Sequence, residues 1–243
     1  MNVTLDPQLT GFGGAHGGYV MSLALRAMAD AVGDPARAPR SLTMHLLAPI
    51  SGDAVEMDVR VERAGGSMTT TSVRLAQDGA TVAAGLASFG RPRPSLEQAD
   101  ATMPAVPPPE ELEPLFRAPV PEARLLVEHR PAARPLPLAG GDRAELVVWM
   151  RRADERPVDA EVATFLADAA APALYGALSE YVAMPSADIT LHFAGEAAVS
   201  SPWALAVVRN RFAGDGYAVE DGELWAPDGT LLLRSRQLRR VLG

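Results

Sequence analysis

Asp168 is the only charged residue between Glu161 and Glu180. An ionised carboxylate in such a run can take a proton from water. On an ideal helix Val162, Leu166, Ala169 and Ala173 form an apolar stripe, and Asp168 lies about 110° from it at ~100° per residue. That is the flank, where a carboxylate is either solvated or enters a cleft. Pro172 favours the cleft, because its ring would clash with the carbonyl of residue 168 and kink the helix there. Gln237 shares strand parity with Leu231, Leu233 and Val241. It would therefore point inward, where a buried amide needs partners, unless it sits on an edge among arginines. Ser186 alternates with Asp188, Thr190 and His192, opposite Ile189, Leu191 and Phe193, and alternation alone does not say which face borders a cleft. Gly17 and Gly18 precede a helical run. The free N–H groups there can receive a carbonyl oxygen that becomes negative, or the glycines simply let the loop turn. His16 reads as a cap of that helix, although it could meet a substrate. His45 and His192 read as structural, and His129 carries no reading.

Composition removes many other chemistries. All 22 basic residues are arginine, and the chain has no cysteine. Schiff-base lysine, P-loop lysine, thiolate nucleophile and cysteine-ligated metal are all excluded. No Gly-x-Ser-x-Gly elbow or His-Glu-x-x-His pattern occurs, and Gly11-Phe12-Gly13 is not completed to a dinucleotide fingerprint. The net charge of −8 and the 5% aromatic content disfavour nucleic acid. Met1 to Asp6 lacks the start of a signal peptide, and Pro7 to Leu25 is too rich in glycine for a membrane span. We expect a soluble, cytoplasmic protein.

These residues need elements to position them. The length of 243 residues corresponds to one large domain or two small ones at about 150 residues each. Of the 21 prolines, 12 fall between Arg91 and Gly140, so this stretch reads as extended linker, with a strand resuming at Ala123 to Glu128. The division expected is residues 1–91, a Pro-rich linker 92–114, and 115–243. The first part shows a helix over Tyr19 to Val32, ended by Gly33 and Pro35. Strands follow at Ser41 to Leu47, Ala54 to Arg63, Met68 to Ala76 and Thr81 to Phe89, the last two joined at Asp78-Gly79. The second part has a strand at Ala144 to Arg151 and a helix capped by Asp159 that runs on through Ala173. Strands follow at Ala187 to Phe193, Trp203 to Phe212, Tyr217 to Trp225 and Thr230 to Val241.

The two parts share letters as well as order. Leu42-Thr43-Met44-His45-Leu46 matches Ile189-Thr190-Leu191-His192-Phe193 in type at every position. Asp78-Gly79 lies 35 residues after Thr43, and Asp228-Gly229 lies 38 after Thr190. In register with a shared helix–strand–hairpin order, this is an internal duplication.

An α+β unit of a long central helix wrapped by an antiparallel sheet, repeated in tandem, resembles the double hotdog. With His16-Gly17-Gly18-Tyr19 opening the helix, the chain resembles the acyl-CoA thioesterase II family over most of its length, the linker excepted. The resemblance implies that an Asp, a Thr or Ser, and a Gln hold the attacking water. By position these are Asp168, Ser186 before Asp188, and Gln237 after the last hairpin. The family more often has threonine where Ser186 stands; serine keeps the hydroxyl but loses the methyl that restrains its rotamer. The implied reaction is hydrolysis of an acyl-CoA substrate, in a homo-oligomer. No metal or other cofactor is implied, since a thioester is already activated for attack. A non-catalytic acyl-CoA binding module would need the same cleft without the base. A hotdog hydratase usually pairs Asp with a His five residues on, where this chain has Ala173 and Phe193.

Overall fold

The computed structural model describes residues 1–11, 14–96, 98–116, 126–195 and 199–242, the side chains of residues 10 and 11 excepted. The first half runs β1 (Asn2–Thr4), β2 (Thr10–Gly11), β3 (Gly14–Ala15), α1 (Gly17–Val32), β4 (Ala38–Leu46), β5 (Ala54–Ala64), β6 (Met68–Gln77) and β7 (Ala80–Gly90). The second runs β8 (Val127–Pro131), β9 (Glu145–Arg152), α2 (Ala160–Ala167), β10 (Ser186–Phe193), β11 (Ala204–Gly214), β12 (Tyr217–Trp225) and β13 (Leu231–Arg240). The expected strand at Ala123 to Glu128 begins instead at Val127, and residues 123–125 lie outside the described residues.

An 11-stranded antiparallel sheet joins both halves in the order β1-β5-β6-β7-β4-β10-β13-β12-β11-β9-β8. Alternation explains its two faces. Val55 and Met57 of β5 are buried while Glu56 and Asp58 between them are exposed. The halves meet where β4 pairs with β10, Thr43 opposite Thr190. Their Oγ1 atoms are 3.1 Å apart. These are the equivalent threonines of the repeated motif. Met44 faces Ile189 and Leu42 faces Leu191, so equivalent residues meet as they do across a two-fold axis.

Helix α1 packs on β4 to β7, α2 packs on β9, β12 and β13, and the helices pack on each other. The main core fills the space between them and the inner face of the sheet. Gly33 ends α1 in the left-handed conformation (φ 65°), and its N–H donates to Ala29 O. A long central helix in each half is not observed: α1 has 16 residues and α2 has 8. The stripe continues on paper through Ala169 and Ala173, but α2 stops at Ala167 with Asp168 as its C-cap. Pro172 lacks the N–H that continuation would use, so the chain ends the helix rather than kinking it. A short 3₁₀ turn, Ala173–Gly176, follows.

The Pro-rich stretch has little regular structure but is not loose. Ala101, Met103, Val106 and Leu112 pack against Trp149, Trp203 and Trp225 on the outer face of the second half. Trp149 Nε1 donates to Pro107 O at 2.9 Å. Among the described residues no helix is long and apolar enough to cross a membrane.

Candidate active site

The end of α2 carries Asp168 to the first turn of α1. Asp159 caps the other end of α2, its Oδ1 accepting from Val162 N–H at 2.8 Å. The helix therefore has a set start, a set stop and one direction in which to present Asp168. Close approach of the two helices requires the glycines. A Cβ on Gly17 would lie 2.5 Å from Asp168 Oδ2, and one on Gly18 would collide with Phe165 O. Gly18 N–H donates to Asp168 Oδ2 at 2.9 Å. This corrects part of the expectation from sequence: the Gly18 N–H is given to the carboxylate and is not open to a substrate carbonyl.

The other carboxylate oxygen gathers the two remaining candidates. Ser186 Oγ donates to Asp168 Oδ1 at 3.0 Å, and Gln237 Nε2 donates to it at 2.9 Å. Gln237 Nε2 also donates to Ser186 Oγ. Gln237 is 4% exposed, so the inward parity read from β13 is correct and the amide is satisfied as burial demands.

Ser186 reaches the same face by an irregularity. The pairing of β10 with β13 shifts register between Ser186 and Asp188: Ser186 lies opposite Arg239, and Asp188 opposite Leu238. Ala187 is the extra residue of this bulge. It breaks the alternation and turns Ser186 to the inner face, which simple counting along β10 cannot give.

Of the histidines, His16 stands at the N-cap of α1 but makes no side-chain capping bond. The expected cap is replaced by a stack on Phe165, ring centroids 5.2 Å apart. His16 Nδ1 is buried and has no hydrogen-bond partner. His45 and His192 are exposed on the outer face of the sheet, away from Asp168. His129, which carried no reading, lies beside the site. Its Nε2 is 3.0 Å from Ala169 O and its Nδ1 is 3.0 Å from Val127 O. Burial lowers its pKa, against the two carbonyls, which raise it.

Two further residues were missed. Arg239 and Glu220 are buried, 6% and 3% exposed, and form an ion pair behind Gln237 and Ser186. Parity was the available signal: Arg239 lies two residues beyond Gln237, and Glu220 lies between the small Ala218 and Gly222. Among the described residues no three His, Asp or Glu side chains cluster as metal ligands. A cavity of about 470 Å³ opens on the outer face of the first half, beside Thr43, His45, Arg60 and Leu86, and Asp168 does not border it.

The arrangement offers a carboxylate, a hydroxyl, an amide and the first turn of a helix within one small volume. Such a set can orient a water, deprotonate it and stabilise an oxyanion. Comparison with known proteins agrees with it. Residues 5–90 match the acyl-CoA thioesterase N-terminal domain, and residues 98–241 match the acyl-CoA thioesterase C-terminal domain. No curated protein sequence is significantly similar to the chain. Among solved structures, a hot dog fold protein of Alicyclobacillus acidocaldarius superposes with a TM-score of 0.88 at 24% identity, covering 100% of this chain and 92% of that one. A protein of Novosphingobium aromaticivorans gives 0.84 at 27% identity, covering 100% and 95%. The acyl-CoA thioesterase II TesB2 of Mycobacterium marinum gives 0.76 at 24% identity, covering 93% and 88%. With both of its halves matched in order, the chain belongs to the acyl-CoA thioesterase family.

Proposed function

We propose that the chain hydrolyses acyl-CoA thioesters by direct attack of a water held at Asp168, Ser186 and Gln237. The observation that carries this reading is the convergence of a hydroxyl and an amide on one carboxylate oxygen at the first turn of α1. Asp168 takes a proton from the water, whose oxygen attacks the thioester carbonyl carbon. Ser186 and Gln237 orient that water and limit where it can stand. The carbonyl oxygen becomes an oxyanion facing the start of α1, where the N–H of Gly17 is the donor we assign in place of Gly18. Collapse of the tetrahedral intermediate breaks the C–S bond. The departing thiolate takes the proton held by Asp168, and the products are a carboxylic acid and coenzyme A.

A positioned general base contributes roughly 10²–10⁴ in rate, and one oxyanion donor about 10²–10³. A fatty or related acyl chain, a homo-oligomer, a cytoplasmic location and the division into 1–91, 92–114 and 115–243 belong to the same proposal, on the strength of the resemblance.

The test is a panel of acyl-CoA esters from C2 to C18 with free-thiol detection, run on the wild type and on Asp168→Asn. Asparagine keeps the volume but is not a base. The variant should bind a non-hydrolysable thioether analogue like the wild type, with kcat lower by about 10²–10⁴. Near wild-type kcat in Asp168→Asn would remove this residue from the mechanism. A wild-type protein that binds the analogue and hydrolyses no ester would make it a binding module.

A further inference from the structure

Behind the three residues that meet at Asp168 lies a charge that hydrolysis does not use. Arg239 Nε donates to Glu220 Oε2, and Glu220 Oε1 accepts from Ala173 N–H. The remaining guanidinium nitrogens face the site. Arg239 Nη1 donates to Met184 O at 3.2 Å and to Ser186 Oγ at 3.3 Å; Nη2 donates to Gln237 Oε1 at 3.1 Å. A guanidinium has donors and no acceptor. Ser186 Oγ must therefore accept from it, which leaves the hydroxyl hydrogen for Asp168. Gln237 must turn Oε1 toward Arg239, which aims its NH₂ at Asp168 and Ser186. We propose that Arg239, held by Glu220, is a positioning residue that sets the direction of the hydrogen bonds from Ser186 and Gln237 to Asp168. The proposal rests on the reading of Asp168, Ser186 and Gln237 as the hydrolytic site.

The first half of the chain supports this independently. Ile189 faces Gln237 as Leu42 faces Ala87, and Ser186 faces Arg239 as Pro39 faces Phe89. Glu220 faces Gln237 as Thr71 faces Ala87. Where the second half has Ser186, Glu220, Gln237 and Arg239, the first half has Pro39, Thr71, Ala87 and Phe89. The same strands form there without an ion pair, so the sheet does not need one. A buried pair is commonly no more stable than apolar side chains in its place. The pair occurs in the half that has the polar site. Serine at 186 also lacks the methyl that would hold a threonine rotamer, and Arg239 restrains its hydroxyl instead.

Removing Arg239 alone would leave Glu220 buried and unpaired, so the first variant is Glu220→Gln/Arg239→Met, in which the new amide oxygen can still accept from Ala173 N–H. Its kcat and KM are measured beside the wild type. The same pair of changes is then made in a Ser186→Ala/Gln237→Ala background. We expect kcat to fall about tenfold in the wild-type background, the size of one lost charge-assisted hydrogen bond, with KM nearly unchanged. In the second background the same changes should alter kcat less than about twofold, because nothing remains for Arg239 to orient. Arg239→Lys keeps the charge against Glu220, and with it the fold. Its single ammonium cannot reach all three acceptors, so it should show a smaller drop, again only where Ser186 and Gln237 are present. An unchanged kcat in folded variants, or equal losses in both backgrounds, overturns the proposal. Asp168→Asn, assayed in parallel, separates the failures: if it stays active the hydrolytic reading fails. If it is inactive while the Arg239 variants are indifferent, only this inference fails.

Discussion

Ala87 and Gln237 occupy the same place in two copies of one hairpin, opposite Leu42 and Ile189. Ala87 is a methyl in a closed core; Gln237 carries an amide to Asp168. Around Ala87 the neighbours are apolar or small, and Thr71 Oγ1 is buried without a hydrogen-bond partner. Around Gln237 each polar group of Glu220 and Arg239 is engaged. Both halves also carry the bulge, between Pro39 and Ser41 and between Ser186 and Asp188. The backbone device is thus older than the chemistry placed on it. The first half keeps the scaffold and gives the second half one thing, the glycine turn at the start of α1. The site is composite: carboxylate, hydroxyl and amide come from one copy, and the helix end from the other.

The sharpest way to break this comparison is to put the charge of one half into the other. Phe89 is fully buried and stands where Arg239 stands in the second half. Phe89→Arg places a guanidinium beside Thr71, which offers no carboxylate. We expect a loss of about 3–5 kcal/mol, the usual cost of an uncompensated buried charge, read as the shift in urea midpoint. Adding Thr71→Glu should recover part of it. If Phe89→Arg folds as stably as the wild type, the two positions do not share an environment.

A smaller effect is expected where the halves touch. A Cβ on Gly18 would collide with Phe165 O and lie 3.2 Å from Asp168 Cβ. Gly18→Ala must therefore part α1 from α2, at about 1–3 kcal/mol for overpacking. Because Asp168 moves with α2, kcat should fall too. A variant with lower kcat and an unchanged melt would show that the contact is catalytic alone.

How much of this was readable in the letters depended on range. The extent of α1 followed from its stripe and from Gly33. The hairpin at Asp78-Gly79 followed from a dipeptide that accepts positive φ, and both residues have it, 50° and 77°. Asp215-Gly216 makes the same kind of turn between β11 and β12, with φ of 54° and 80°, and its letters were equally available. Gln237 was placed inward by parity. Ser186 was not, because one extra residue at Ala187 reverses the parity and no letter announces it. The stop of α2 was hidden by a stripe that continues past Pro172 although the helix does not. The role of Arg239 depends on a strand contact to Glu220 that lies 19 residues away. That partner emerges only once β12 and β13 are in register.

The smallest effect concerns β8, an edge strand added outside β9. The first half ends its side of the sheet at β1, which pairs with β5 as β9 pairs with β11, and has nothing beyond it. Through β8 the second half brings His129 to Ala169, the residue after Asp168. A neutral imidazole has one N–H, so it can donate to only one of the carbonyls of Val127 and Ala169. The imidazolium could serve both, yet burial holds the His129 pKa below the ordinary 6.5, with His16 adding to the depression. The unfolded chain therefore binds the proton more readily than the fold. The stability that His129 contributes is complete above 6.5 and is lost as pH falls through that value toward the folded one. His129→Leu should cost about 0.5–1.5 kcal/mol at pH 8 for the lost hydrogen bond, and should flatten the decline in stability below pH 6.5. Urea midpoints at intervals from pH 8 to pH 5 measure both. Parallel curves for the variant and the wild type would assign the decline to another group and leave β8 without a part in bracing the site.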